Sequence, residues 1–136
     1  KAVRPAVIVE ALVPVSFEVK FTVLWGRVYV GKILDKQSGG DNVLGEFTRE
    51  GAWSPSRRGQ PPLEAPPYYA EMVAVAEHVC QGTDLLRLDF LCSPTGYVVG
   101  EATPFSASRL TAPAEETAVS LLVDGYVARA SRVAGD

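Results

Sequence analysis

Asp89 and Glu101 are the residues whose placement points most directly to chemistry. They lie in the segment 84–103, DLLRLDFLCSPTGYVVGEAT, whose pattern predicts a β-hairpin. Leu86, Leu88 and Phe90 alternate with Arg87, Asp89 and Leu91, so one face is apolar and the other carries charge. Pro94-Thr95-Gly96 suits a three-residue loop, with Pro presetting a type I turn and Gly supplying the left-handed residue after it. With that loop Ser93 faces Tyr97, Asp89 faces Glu101 and Arg87 faces Thr103. Two opposed carboxylates at about 5 Å and an effective dielectric of about 20 repel by roughly 3 kcal/mol. Something must offset that. A divalent cation would do so, because two carboxylates and the Thr103 hydroxyl make a hard-oxygen site of the kind magnesium prefers, completed by water and substrate phosphates. Neutralisation by Arg87 or by an exposed rim would serve as well, and a loop one residue different would send the two acids to opposite faces.

The elements that must position these residues belong to one ordinary domain. The chain has 136 residues, 47% of them hydrophobic, which is enough for a real core. A net charge of −3 argues against a nucleic-acid footprint. No apolar run reaches the roughly 18 residues needed to span a bilayer, and no secretory leader pattern opens the sequence. The first residue is Lys1, so the chain reads as part of something longer. Cys80 and Cys92 do not form a CxxC and sit in apolar segments, which predicts buried thiols in a reducing, cytoplasmic compartment. With a single histidine, His78, a zinc site is not expected, and a lone helical histidine is given no role.

In chain order, AVIVEALV (6–13) predicts a strand interrupted by Glu10, a charge that either lies at a wet sheet edge or accepts hydrogen bonds from a ligand along the strand. SFEVKFTVLW (16–25) alternates, with Phe17, Val19, Phe21 and Val23 on one face and Glu18, Lys20 and Thr22 on the other. Glu18 and Lys20 read first as a solvated face. Gly26 makes a turn and RVYVGKIL (27–34) returns as the partner strand. From 35 to 67 the periodicity fails, with only 45–49 resembling an extended piece, which predicts a long loop acting as a lid or as mobile chain. Its charges Lys36, Arg49, Arg57 and Arg58 either close over phosphates or merely solubilise, and Trp53 pins it to the body.

The segment 68–81 predicts an amphipathic helix with Tyr69, Met72, Val73, Ala76, Val79 and Cys80 inward. A last helix opens at Pro113, with Val119, Leu122, Val123, Tyr126, Val127 and Ala130 as its stripe. The expected fold is α+β: an antiparallel sheet of about four to five strands with two helices on its apolar face, the other face displaying Glu18, Lys20, Arg87, Asp89 and Glu101 under a basic loop.

Taken together, EVKFTVLWGRV (18–28), FTREGAW (47–53), EMVAVAEHV (71–79) and LLRLDFL followed by GYVVGEAT resemble the C-terminal half of an ATP-grasp domain. The TupA-like branch, of teichuronopeptide and polysaccharide biosynthesis, is the most similar. The resemblance runs from Val9 to about Tyr126 and rests on the order and spacing of short motifs. It implies a C-terminal ATP-grasp subdomain occupying residues 1–136, the preceding subdomain lying outside the chain.

It further implies that Asp89, Glu101 and Thr103 hold magnesium between ATP phosphates. Glu10 and the backbone at Leu12 would receive adenine, Glu18 and Lys20 would face ribose and phosphates, and Arg87 and Lys20 would act on the transferred phosphate. The implied reaction is ATP-dependent carboxylate–amine ligation through an acyl phosphate, with ATP and a carboxylate/amine pair as partners, together with the missing subdomain or another protein chain. PFSASRL (104–110) and Trp25-Gly26 depart from the Gly-rich and Asn-Gly strings of the branch, and the half alone is not expected to turn over. A degenerate ATP-grasp-like module retained for structure or binding in a larger assembly is the alternative.

Overall fold

The computed structural model describes residues 12, 14–37, 42–55, 59–104 and 112–133, with backbone alone for 112–116 and 130–133. Six strands form one fully antiparallel sheet: β1 (Phe17–Leu24), β2 (Arg27–Asp35), β3 (Asn42–Thr48), β4 (Trp53–Pro55), β5 (Leu85–Ser93) and β6 (Gly96–Thr103). Their spatial order is β4-β3-β2-β1-β5-β6. Helix α1 (Tyr69–Val79) falls between β4 and β5, and α2 (Ala112–Val133) follows β6. The predicted α+β class and antiparallel sheet are thus present, with six strands instead of four to five. The two additional strands come from the stretch expected to be a loop, 35–67. There Phe47 is fully buried and pairs with Trp53, which packs against the core as expected.

The alternation of β1 gives the core its floor. Val19, Phe21 and Val23 are buried on one face, joined by Leu88, Phe90 and Cys92 of β5 and by Tyr69, Met72, Val73 and Ala76 of α1. Each large apolar side chain buried there contributes about 1.5–3 kcal/mol. Phe21 is the centre, its ring edge-on to Phe90 at 5.4 Å and tilted to Tyr69 at 5.5 Å. Gly31 lies opposite Phe21 on β2 and makes this approach possible, since a Cβ there would sit 2.7 Å from the Tyr69 hydroxyl and 2.8 Å from the Phe21 ring. Val79, expected inside, is about half exposed, because α1 turns it past the edge of the core.

Among the described residues that cluster draws on α1 alone, whereas two helices were expected on the apolar face; of α2, Ala118 is buried outside it. Helix α2 meets the body at the β1–β2 turn and leaves Val119, Val123, Tyr126 and Val127 about half exposed. The turn explains the docking. Trp25 and Gly26 both have positive φ (52° and 73°), the two-residue geometry that matches strand twist and normally selects Asn-Gly. A tryptophan there costs of order 1–3 kcal/mol. Its indole compensates elsewhere: Nε1 donates to the Leu121 carbonyl at 3.2 Å, the ring stands edge-on to Tyr126 at 5.0 Å, and Gly125 leaves the space that a Cβ would fill. Tyr126 in turn donates to the Asp84 carboxylate. No helix among the described residues is long and apolar enough to cross a membrane.

Arg49 ties the far side of the sheet to α1. Its Nε and Nη2 donate to the two Glu77 oxygens at 2.7 and 2.9 Å, and Val28 N–H donates to Glu77 Oε1 at 3.1 Å. The Arg49 hydrogen bond is the main cause that holds the Glu77 carboxyl below its ordinary 4.5. Arg49 therefore faces the helix, not the charged face it was expected to roof.

Two outcomes follow from these contacts. Gly31→Ala forces Tyr69 or Phe21 off its position and should cost about 1–3 kcal/mol in urea melts. Because the folded value of Glu77 is depressed, its stabilising contribution is present above pH 4.5 and disappears as pH falls through the lower, folded value. Acid unfolding of Glu77→Gln should accordingly show a shallower pH dependence over that window than wild type.

Candidate functional site

The face opposite α1 carries a row of polar side chains at one register across all six strands. Ser54 pairs with Glu46, Glu46 with Lys32, Lys32 with Lys20, Lys20 with Asp89 and Asp89 with Glu101. Arg87 faces Thr103 one pair along. Asp89 and Glu101 therefore do meet, and Arg87 and Thr103 do lie opposite each other, as expected. The route is different. Ser93 pairs with Gly96, so the turn has two residues, Pro94 and Thr95, and Gly96 is not left-handed. A bulge between Asp89 and Phe90, with Gly100 as the extra residue of β6, then restores the register. Gly100 suits that place because a Cβ would press to 3.2 Å from Leu91.

The row is not a solvated rim. Asp89 is 1% exposed and Glu18 is 6% exposed, whereas Glu101 is an exposed residue with 64% of its side chain open to solvent. Removing a carboxylate from water costs several kcal/mol unless charge and hydrogen bonds replace the hydration. For Asp89 they do. Arg87 forks onto it, Nε to Oδ1 at 2.6 Å and Nη2 to Oδ2 at 2.8 Å, and Lys20 Nζ donates to Oδ2 at 3.0 Å. The same hydrogen bond, ahead of the Coulomb attraction, raises the Arg87 guanidinium above its ordinary value. Lys20 also reaches Glu18 Oε1 at 3.3 Å, and Lys36 reaches Glu18 Oε2 at 2.9 Å. Glu101 accepts from the Thr103 hydroxyl at 2.8 Å and lies 3.7 Å from Arg87 Nη2, which also donates to Thr103 Oγ1 at 3.2 Å.

The result is one chain of alternating charge, Lys36–Glu18–Lys20–Asp89–Arg87–Glu101, running from the residue after β2 across β1, β5 and β6. It brings together Glu18, Lys20, Arg87, Asp89, Glu101 and Thr103 from the sequence reading. It does not include the expected adenine contacts: Leu12 is 96% exposed, and Glu10 and the strand 6–13 expected around it lie outside the described residues except for Leu12. Arg57 and Arg58 also lie outside them. Lys32 and Glu46 were missed: the Trp25-Gly26 turn with plain alternation would set Lys20 opposite Gly31, and it is a bulge at Tyr29 in β2 that brings Lys32 opposite Lys20. Lys36, assigned to a loop, joins the site from the end of β2.

Among the described residues no group of three or more His, Cys, Asp and Glu side chains converges on one point. Magnesium commonly takes only one or two carboxylates with phosphates and water. The donor set of Asp89, Glu101 and Thr103 fits it in chemistry, all hard oxygens on facing strand positions, with Glu101 open to solvent. Clefts of about 500 and 510 Å³ flank Arg49 and include none of these residues. Arg49 is already satisfied by Glu77, so those clefts hold less chemistry than the charged row. Burial pushes the Cys92 thiol up to about 12, and Cys80 is raised for the same reason, so neither is poised as a nucleophile.

No family model, curated protein or solved structure matches the chain. The site is consequently described by its own geometry. Asp89→Ala would leave Arg87 and Lys20 facing each other across a buried gap, and should destabilise the fold by about 3–5 kcal/mol. Glu101→Ala, at an exposed position, should change stability by less than about 1 kcal/mol in the same denaturant series.

Proposed function

We propose that the charged face is the magnesium- and phosphate-binding half of an ATP-dependent carboxylate–amine ligase of the ATP-grasp, TupA-like kind. The observation that carries this reading is the meeting of Asp89 and Glu101 on paired strands, with Thr103 beside them and Lys20 and Arg87 on the same face. A buried cation-and-acid row ending in an exposed carboxylate suits a ligand that is itself polyanionic and metal-bound.

In this reading Arg87 and Lys20 bind phosphate oxygens and stabilise the charge that develops as the γ-phosphate passes to the carboxylate substrate. Their backbone positions are fixed because β1 and β5 are adjacent internal strands of the sheet. Asp89, Glu101 and Thr103 would hold magnesium, which when bound neutralises phosphate charge and fixes its orientation. Glu18 would accept from ribose hydroxyls, exchanging Lys36 for the sugar. Glu10 and the Leu12 backbone would meet the adenine. The amine substrate and the opposing side of the nucleotide site would come from the preceding ATP-grasp subdomain or another chain. Two buried free thiols support a cytoplasmic setting.

A second reading has its own support. Asp89 already has both oxygens engaged by Arg87 and Lys20, so its charge is offset by protein alone. That is what a degenerate, non-catalytic module would keep.

Calorimetry of ATP with and without magnesium on the intact protein separates the two. The ligase reading expects binding that requires magnesium and weakens by about tenfold or more, about 1.4 kcal/mol, in Glu101→Gln, whose exposed position spares the fold. Absence of nucleotide binding in the folded, intact protein would leave the structural module.

A further inference from the structure

Arg87 touches every group that would ligate a metal here. Its guanidinium lies 2.6 and 2.8 Å from the Asp89 oxygens, 3.2 Å from Thr103 Oγ1 and 3.7 Å from Glu101 Oε2. A cation bound by Asp89, Glu101 and Thr103 would draw on oxygens of the same three groups. Two cations converging on those oxygens repel each other, so each disfavours the other. Arginine keeps its charge across the accessible pH range, so it cannot make way by losing a proton. It can leave Asp89 only for another anion, and its fork matches phosphate as well as carboxylate.

Resting on the reading of the preceding subsection, we propose that Arg87 is an exchangeable occupant of the metal position, and that a phosphate-bearing ligand must draw it off Asp89 before a divalent cation can bind. The neighbouring charges favour the exchange. Lys20 stays 3.0 Å from Asp89 Oδ2, so the buried carboxylate keeps a counter-charge while the guanidinium moves. No bond is made or broken. Metal and nucleotide then bind with positive coupling, of the order of the about 5- to 150-fold usual between linked sites.

The test uses Mn²⁺ as a paramagnetic probe, titrated into the intact protein without nucleotide and followed by electron paramagnetic resonance. Wild type should bind it weakly, and Arg87→Met about tenfold or more tightly, with the gain lost in the Arg87→Met/Glu101→Gln double variant. A second measurement needs no variant. The Arg87 Nε–H signal in heteronuclear NMR should keep its position when Mg²⁺ alone is added and shift when Mg²⁺ is added with a non-hydrolysable ATP analogue. If Arg87→Met folds and gains no metal affinity, or if the Nε–H signal stays fixed while the analogue binds, the exchange is wrong and the nucleotide reading stands. If wild type binds neither the analogue nor, with Arg87 removed, the metal, both fail together. Should Arg87→Met not fold, Arg87→Lys, which reaches one carboxylate at a time, should gain metal affinity, and the NMR measurement decides independently.

Discussion

A carboxylate with 1% of its surface exposed, in the middle of a sheet, imposes conditions on everything around it. Asp89 requires cations on two sides, and the fold supplies them from two directions: Arg87 from two residues earlier on the same strand face, and Lys20 from the adjacent strand. Lys20 arrives only if β1 and β5 pair in one register, since a slip by one residue would turn it into the core and bring Val19 or Phe21 out. The ion pairs and the apolar alternation of β1 therefore select the same pairing. Ion pairs of this burial add little net stability over an apolar substitute, but they penalise every alternative register heavily. The charged row is best understood as a device that fixes geometry, which is also what a phosphate-binding site demands.

The cost of that device is distributed through the sheet. β5 must be central to bury Asp89, so the hairpin it forms with β6 leaves β6 as an edge with Val98 and Val99 partly exposed. On the other side, β3 and β4 extend the sheet far enough to bury Phe47 beneath Tyr69, and Gly31 gives the room for it. Helix α1 is anchored at both ends of this arrangement, by Tyr69 donating to the Thr48 carbonyl at 2.9 Å and by Glu77 to Arg49.

How much of this could be read beforehand depends on whether a feature is local or cumulative. The strands β1, β2, β5 and β6 and both helices were legible because their periodicity is a property of each segment alone. The meeting of Asp89 and Glu101 was legible too, though two errors cancelled: the loop is one residue shorter than Pro94-Thr95-Gly96 suggests, and the Gly100 bulge adds that residue back. A bulge has no strong local signal beyond its glycine. The β3–β4 hairpin was only partly legible: 45–49 reads as a short extended piece, but Ser54 and Pro55 read as loop, and only pairing with β2 makes the two a sheet. The burial of Glu18 and Asp89 was not legible at all, because it depends on neighbours brought in from distant parts of the chain.

The same reasoning separates the two helices. Both have apolar stripes at helical spacing, yet α1 buries its stripe and α2 does not. The difference is what lies beside them. α1 follows a connection that returns it across the sheet's apolar face, where Phe21, Phe47 and Phe90 offer a surface that must be covered. α2 follows β6 and is caught at its middle by Trp25, a residue held in an unfavourable turn conformation whose indole reaches Leu121, Gly125 and Tyr126. Among the described residues α2 is joined to the domain chiefly through Trp25, Tyr126 and the buried Ala118, outside the cluster that α1 covers. Its exposed Val119 and Val123 therefore contribute little to the stability of the sheet that carries the charged row, and the positions of Asp89, Arg87 and Lys20 follow from strand pairing and from their own ion pairs.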